Sequence, residues 1–206
     1  MSAKTLSEFT SELRQRNVSK PTLYYVEIIP PPIFKEAGLT YTNSDLNLVS
    51  MWCHTATTPQ STIQTQDNYL EAGNRRKYAY DQDYANLTLS FYVDQDYNVK
   101  RFFDQWKAAI VPQKRNFNYP DKYTAESLNL FIINQEGKET YKYEYSKVFP
   151  KSFNSIELSY SATGVASFTV DFVFEECYYT TMGKNDTLSS KPANKVFQEN
   201  FEQIPK

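Results

Sequence analysis

The sequence predicts a mainly β domain, a sandwich or half-open barrel of about eight strands with one α-helix packed across it. Three observations predict it. The run Tyr141–Tyr179, "YKYEYSKVFPKSFNSIELSYSATGVASFTVDFVFEECYY", alternates apolar and polar residues almost without a break, which is the period of a strand with two different faces. The chain carries 17 Tyr and 14 Phe in 206 residues, and Tyr, with an apolar body and a polar tip, suits strands whose second face is wet or meets a neighbour. Only one long stretch has helical spacing: Val99, Phe102, Phe103, Trp106, Ala109 and Ile110.

Taken in order, the elements divide into three parts: an amphipathic arm over 1–19, a β domain over 20–179 and an extension over 180–206. In the arm, "TLSEFTSELRQR" (5–16) puts Leu6, Phe9 and Leu13 on one helical face, with Thr5 and Glu8 at capping-box spacing. "KPTLYYVEIIPPP" predicts a strand from Thr22 to Ile29, ended by three prolines that cannot donate to a ladder. "KEAGLTYTNSDL" is polar and predicts a loop, and "LNLVSMWCHTATTP" predicts a strand from Leu46 to near Pro59. The polar residues 60–84 predict two strand arms around an exposed tip near Glu71–Asn74. "ANLTLSFYV" (85–93) is a strand, and the helix follows at about 96–110, started by Asp94 or Asp96 and ended at Pro112. Phe102, Phe103 and Trp106 should pack on the sheet, with Lys100, Arg101 and Lys107 nearer solvent. Beyond it, "LNLFIIN" (128–134), "QEGK" and "ETYKYEYSKVF" make a strand, a turn and a return strand; "FPKSF" makes a corner; "SIELSY" (155–160) and "ASFTVDFVFEECYY" (166–179) are strands around "SATG". The extension is polar apart from Val196, Phe197, Phe201 and Ile204, with a short helix from Asn194.

Composition excludes several functions. Lys+Arg is 22 against Asp+Glu 24, a net charge of −2, so the chain lacks the excess of cations that a grip on phosphates needs. The start, "MSAKTLSEFTSEL", has no apolar signal core, and no apolar run approaches a membrane span. Cys53 and Cys177 sit in apolar strand patterns and are expected to be buried, reduced thiols in a cytoplasm.

Candidates for chemistry are few. His54, the single histidine, follows Cys53, so on a regular strand the two side chains face opposite ways and make neither a metal pair nor a nucleophile–base pair. The acidic pairs Asp94/Asp96, Asp81/Asp83 and Glu175/Glu176 lie near element ends without a calcium-loop pattern. There is no phosphate-binding glycine loop in a chain of 5 Gly. No catalytic residue, metal or cofactor is expected. "NRRKY" (74–78) is the only dense basic run, either a solvated loop or a contact with an acidic partner surface.

From about Lys20 to Tyr179 the chain resembles the tail tube proteins of contractile-tailed, T-even-type bacteriophages. The motifs fall in order: "KPTLYYVEI" (20–28), "MWCHTATTPQSTI" (51–63), "NRRKYAY" (74–80), "VFPKSFNSIELSY" (148–160) and "ASFTVDFVFEECYY" (166–179). The most specific is "LTLSFYVDQDYNVKRFFDQWKAAI" (87–110), a strand, an acidic turn and a helix carrying Phe-x-x-Trp. The loop at 31–45 and the tail after Tyr179 are longer than a minimal tube subunit needs. The resemblance implies hexameric rings stacked into a hollow tube within a contractile sheath. Its partners would be other copies of the chain, sheath protein and baseplate initiators, with DNA in transit and no membrane insertion. It would be a virion component, assembled in the host bacterial cytoplasm. Six subunits giving about four strands each would close about 24 strands into a barrel roughly 48 Å across the backbone. The resemblance puts the 60–83 arm at the contact between rings, with Tyr69, Leu70 and Glu71 at its tip and Arg75, Arg76 and Lys77 meeting acidic residues of the next ring. Two other readings stay open: a baseplate initiator or non-phage injection-tube ring, and, from a different class, a carbohydrate-binding β-sandwich using Tyr-rich faces.

Overall fold

The computed structural model describes residues 10–11, 19–39, 41–68, 76–112, 116–156, 159–161 and 164–181. These hold nine strands, one more than expected: β1 Tyr24–Ile28, β2 Cys53–Thr57, β3 Ser61–Asn68, β4 Arg76–Tyr84, β5 Leu87–Tyr92, β6 Ala125–Ile133, β7 Glu139–Phe153, β8 Ser167–Val173 and β9 Glu176–Thr181. Their helices are α1 Pro32–Glu36, α2 Asn43–Met51, α3 Asn98–Ile110 and α4 Pro120–Tyr123. Seven strands form one open sheet in the order β1-β6-β7-β8-β5-β2, with β9 paired to β7. β3 and β4 form a separate two-stranded sheet. The described residues fall into two compact units, one within 26–129 and 144–177, the other within 10–25, 130–143 and 178–181.

The larger unit is built on α3. Its Val99, Phe102, Phe103 and Trp106 are fully buried. Phe103 meets Phe91, Phe168 and Phe172, at ring-centre distances of 4.9, 5.6 and 6.1 Å. Trp106 meets Phe172 at 6.1 Å and donates its indole N–H to the Tyr123 carbonyl at 2.8 Å. Phe102 turns the other way, to Phe34 of α1 at 5.5 Å and Tyr41 at 5.0 Å. Edge-to-face pairs of this kind add to the burial of large rings. Lys100 pairs with Asp104 and lies over the rings of Phe153 and Phe168, and Lys107 lies over Phe153. Arg101 is exposed.

The start of α3 is set four residues upstream of its first position, Asn98. Tyr97 takes a left-handed conformation, φ 56°, and offers no cap of its own. Asp94 supplies it instead, accepting from the Asn98 and Val99 backbone N–H groups at 3.0 and 3.1 Å. A carboxylate there also meets the positive end of the helix dipole.

Four expectations are corrected. The loop and strand expected over 35–59 contain a helix, because Thr42 and Asp45 form a reciprocal capping box that starts α2; the strand begins only at Cys53. Pro31 and Pro32 do not merely end β1. A proline suits the first turn of a helix, where its missing N–H is not needed, and they open α1. The "FPKSF" corner is absent, since β7 runs through to Phe153. It absorbs Pro150 beside a register shift between Pro150 and Ser152, and proline is tolerated at such irregularities. Residues 155–156 and 159–160 are not strand, and the stretch 166–179 is two strands, broken at Phe174–Glu175.

In the smaller unit, Tyr25 stacks on Phe131 at 4.5 Å, with Lys142 over the same ring. Tyr141 packs against Tyr143 and Tyr179. The turn after β6 is closed by Asn134, whose side chain accepts from the Glu136 and Lys138 N–H groups, and by Gly137 at φ 79°. The expected helices of the arm and of the extension lie outside the described residues, apart from the helical pair Thr10–Ser11.

Candidate assembly surfaces

The β3–β4 arm stands on a short root. Ala85 donates to the Gln60 carbonyl at 2.9 Å, and Tyr84 packs on Phe174 at 5.7 Å. From there the strands pair from Ser61↔Tyr84 to Asn68↔Arg76, with an irregularity between Gln64 and Thr65. Side chains brace the ladder across the strands: Gln64 to Asp83 at 3.0 Å and Gln82 to Ser61 at 2.8 Å. Its larger apolar side chains are in water: Ile63 is 62% exposed, Tyr78 51% and Tyr80 65%. An isolated two-stranded hairpin is marginal in water, so an arm of this length is stabilised where something covers it. Of the residues expected at its contact, Lys77 is exposed and pairs in register with Asp67. The Arg76 backbone pairs with Asn68. Tyr69, Leu70, Glu71 and Arg75 lie outside the described residues.

The second surface is the sheet itself. Registers β2–β5, β5–β8 and β7–β8 line residues up in rows. Directly paired residues share a face and alternate rows change face. One face carries the rows Ala56–Leu89–Val170–Phe153 and Cys53–Phe91–Phe168, and it is the face α3 covers. The opposite face carries Thr57–Thr88–Asp171–Ser152 and Thr55–Ser90–Thr169. Here the hydroxyls bond within the wall. Thr88 and Ser152 both donate to Asp171, at 2.7 and 2.5 Å, and Ser90 pairs with Thr169 at 2.9 Å. The Ser152 hydroxyl, then that of Thr88, holds the Asp171 carboxyl below the usual carboxylate range, with Lys151 helping against a smaller desolvation effect.

These hydroxyl rows are what sequence reasoning missed. The alternation in "LTLSFY" and "SFTVDFV" shows that each strand has a polar face. Only the register brings Thr88, Ser152 and Asp171 into one row.

The outer strands in the sheet order are β1 and β2. On β2, a register shift between Cys53 and Thr55 turns the two neighbours to separate partners. Cys53 donates to the Thr55 carbonyl, and burial pushes its thiol up to about 12. His54 stacks on Tyr92 at 4.1 Å and bonds the Thr55 hydroxyl through Nδ1. Cys177 is likewise unpaired, its thiol pushed up by burial to about 11. Among the described residues no group of His, Cys, Asp and Glu is arranged to hold a metal, and no helix is long and apolar enough to cross a membrane.

The described residues thus form a β-rich fold: an open antiparallel sheet with α3 on one face, hydroxyls with Tyr92 and Phe149 on the other, and a two-stranded arm. Solved structures share this fold. One is the sheath–tube complex of an extracellular contractile injection system (PVC) in its extended state, at 13% identity and TM-score 0.60, covering 84% of this chain and 98% of that one. Another is the sheath/tube terminator of the same kind of system, at 13% identity and TM-score 0.59, covering 80% and 99%. The tube-terminating cap of the anti-feeding prophage follows at 15% identity and TM-score 0.58, covering 81% and 93%. A comparison with curated proteins gives no match. Residues 19–181 match the family model for phage tail tube proteins, and the chain belongs to that family.

Proposed function

We propose that this chain is the tube subunit of a contractile, T-even-like phage tail. Six copies close into a ring, and rings stack into the channel that conducts DNA. The observation that carries the reading is the β3–β4 arm, a two-stranded sheet with exposed Ile63, Tyr78 and Tyr80 that needs a covering surface. A head-to-tail contact that closes gives rings, and stacked rings give a filament. Among the described residues β1 and β2 are the outer strands of the sheet, and outer strands are where neighbouring subunits can pair around a ring. In this reading the arm makes the ring-to-ring contact. Tyr69 and Leu70 anchor its tip, Glu71 lies beside them, and Arg75, Arg76 and Lys77 face acidic residues of the next ring.

Sheath protein packs around the tube, and baseplate initiators seed it. The tail is assembled in the host cytoplasm and becomes part of the virion. The role is structural and non-enzymatic. Membership of a tail tube family replaces the sugar-binding alternative.

Size-exclusion chromatography with negative-stain microscopy tests the reading. Purified protein is expected to give rings of one diameter or tubes. A 24.0 kDa species at every concentration, even with baseplate seeds present, would overturn it.

A further inference from the structure

We infer that the aromatic loop between α3 and α4 is a docking site for the amphipathic segment 194–204 of a neighbouring copy, so that the extension after β9 straps one subunit to the next. The strap between copies rests on the tube reading; the docking of the segment on the loop does not.

The loop is a rigid platform. Asn118 turns to α3: its side-chain N–H donates to the Ala109 carbonyl at 2.6 Å, and its backbone N–H to the Ile110 carbonyl at 3.2 Å. Tyr119 is extended, at φ −67° and ψ 143°, and Pro120 opens α4, which the Trp106 indole holds through the Tyr123 carbonyl. In extended backbone, neighbouring side chains alternate sides. With Asn118 facing the helix, Phe117 and Tyr119 both face away from it. They are 72% and 78% exposed, and Val111, just past the end of α3, is 41% exposed. A lone exposed apolar side chain is ordinary, but two large rings fixed together in water make a patch.

The extension supplies a counterpart. Residues 182–206 lie outside the described residues. In the sequence, Phe197, Phe201 and Ile204 recur at i, i+4 and i+7, the spacing of one helical face, and Glu199 and Glu202 fall on the other. Asn194 is of the type that starts helices, and Pro205 ends the run. Such a helix has one apolar face to cover. The spacings match. Side chains four residues apart on a helix stand about 6 Å apart along its axis, and those two residues apart on extended backbone about 6.6 Å. Phe197 and Phe201 can therefore lie ring by ring against Phe117 and Tyr119.

Exposure and length select a neighbouring copy. Phe117 and Tyr119 are open in the single chain. Between Thr181, the end of β9, and Phe197 the chain can span up to roughly 50 Å, more than the ~30 Å of a small domain.

Two experiments on the full-length chain test this. In the first, a fluorescein-labelled peptide of residues 190–206 is titrated with Phe197→Ser/Phe201→Ser protein, whose own segment no longer competes. Anisotropy should rise to saturation. Adding Phe117→Ser and Tyr119→Ser to that receptor should weaken binding at least about tenfold, whereas adding Ile63→Ser on the arm should leave it unchanged. Equal binding by the receptors with and without the loop changes, or no binding to either, would overturn the site. If the double loop change does not fold, Tyr119→Ser alone carries the test. A labelled peptide of residues 1–18 that bound the loop in place of 190–206 would give the platform to the N-terminal arm and overturn the assignment. In the second, Tyr119→Cys protein and Phe201→Cys protein are mixed and treated with a short bis-maleimide. The native thiols, held protonated by burial, react slowly. Crosslinked dimers should form in the mixture and not in either protein alone. Crosslinks that form only within a chain carrying both cysteines would overturn the assignment to a neighbour. Wild-type protein that forms neither rings nor tubes would refute the tube reading, and the peptide titration would still decide the docking.

Discussion

Trp106 joins two kinds of interaction that separately would be ordinary. It is fully buried among Phe34, Phe102 and Phe172, and its indole N–H holds the Tyr123 carbonyl. Trp106→Ala removes the ring and strands that carbonyl, and large aromatic truncations in cores cost about 3–5 kcal/mol. The expected outcome is insoluble protein, or a soluble fraction with a melting transition lowered by roughly ten degrees or more; an unchanged transition would contradict the packing. Asp171 acts through charge rather than volume. Its folded-state value is depressed by the Ser152 and Thr88 hydroxyls. Its contribution to stability is therefore fully present above the ordinary carboxylate value and is lost as pH falls through the depressed one. The difference in melting temperature between wild type and Asp171→Asn should be a few degrees at neutral pH and shrink below about pH 4. A gap that widened on acidification would show that the hydroxyls do not favour the charged form.

Elements differ in how openly the sequence announces them. α3 is legible because Val99, Phe102, Phe103 and Trp106 recur at its period. β5 and β8 are legible because their apolar residues alternate. α2 was not. Its Leu46 and Leu48 alternate like a strand, and the cue that decides otherwise is the Thr42–Asp45 capping box, a pair of short polar side chains inside a stretch that looks like loop. The arm is legible in its two strands but not in its exposure, which depends on what the rest of the chain leaves uncovered. Charged contacts at a rim chiefly set register and encounter rate, while apolar anchors set how long a contact lasts. Replacing Glu71–Lys77 by a short Gly-Ser turn should leave folded subunits that do not extend into tubes. Reversing Arg75 and Arg76 to Glu should slow elongation, most at low salt, where surface charges are least screened. Light scattering during seeded growth reads both, and normal length at a normal rate in the shortened protein would place the stacking contact elsewhere.

At the scale of the whole molecule, the sequence shows most of the strands, though not the helix at Asn43–Met51 or the break at Phe174–Glu175, and the registers show what each face carries. The hydroxyl rows depend on pairings between residues far apart in the chain, such as Thr88 with Asp171 and Ser152 with Asp171. No local pattern can predict them. The family match and the similar tube folds agree with the order of motifs from Lys20 to Tyr179.

The position of β8 between β5 and β7 has a consequence for manufacture. β8 is the second-to-last strand to leave the ribosome among the described residues, yet in the sheet order it joins β7 to β5. Until Ser167–Val173 has been synthesised, β5 has no partner on that side, and the apolar face of α3 lacks Phe168 and Phe172. Non-local pairings of this kind form late and slowly. An unfinished chain therefore has no complete wall to offer, and a growing tail is protected from incorporating it. A chain stopped after Gly164, co-expressed with the full-length protein, should be degraded or aggregate without entering tubes, and mass spectrometry of purified tubes should find only full-length subunits. Truncated chain in the tubes would mean that a subunit can assemble before it is finished.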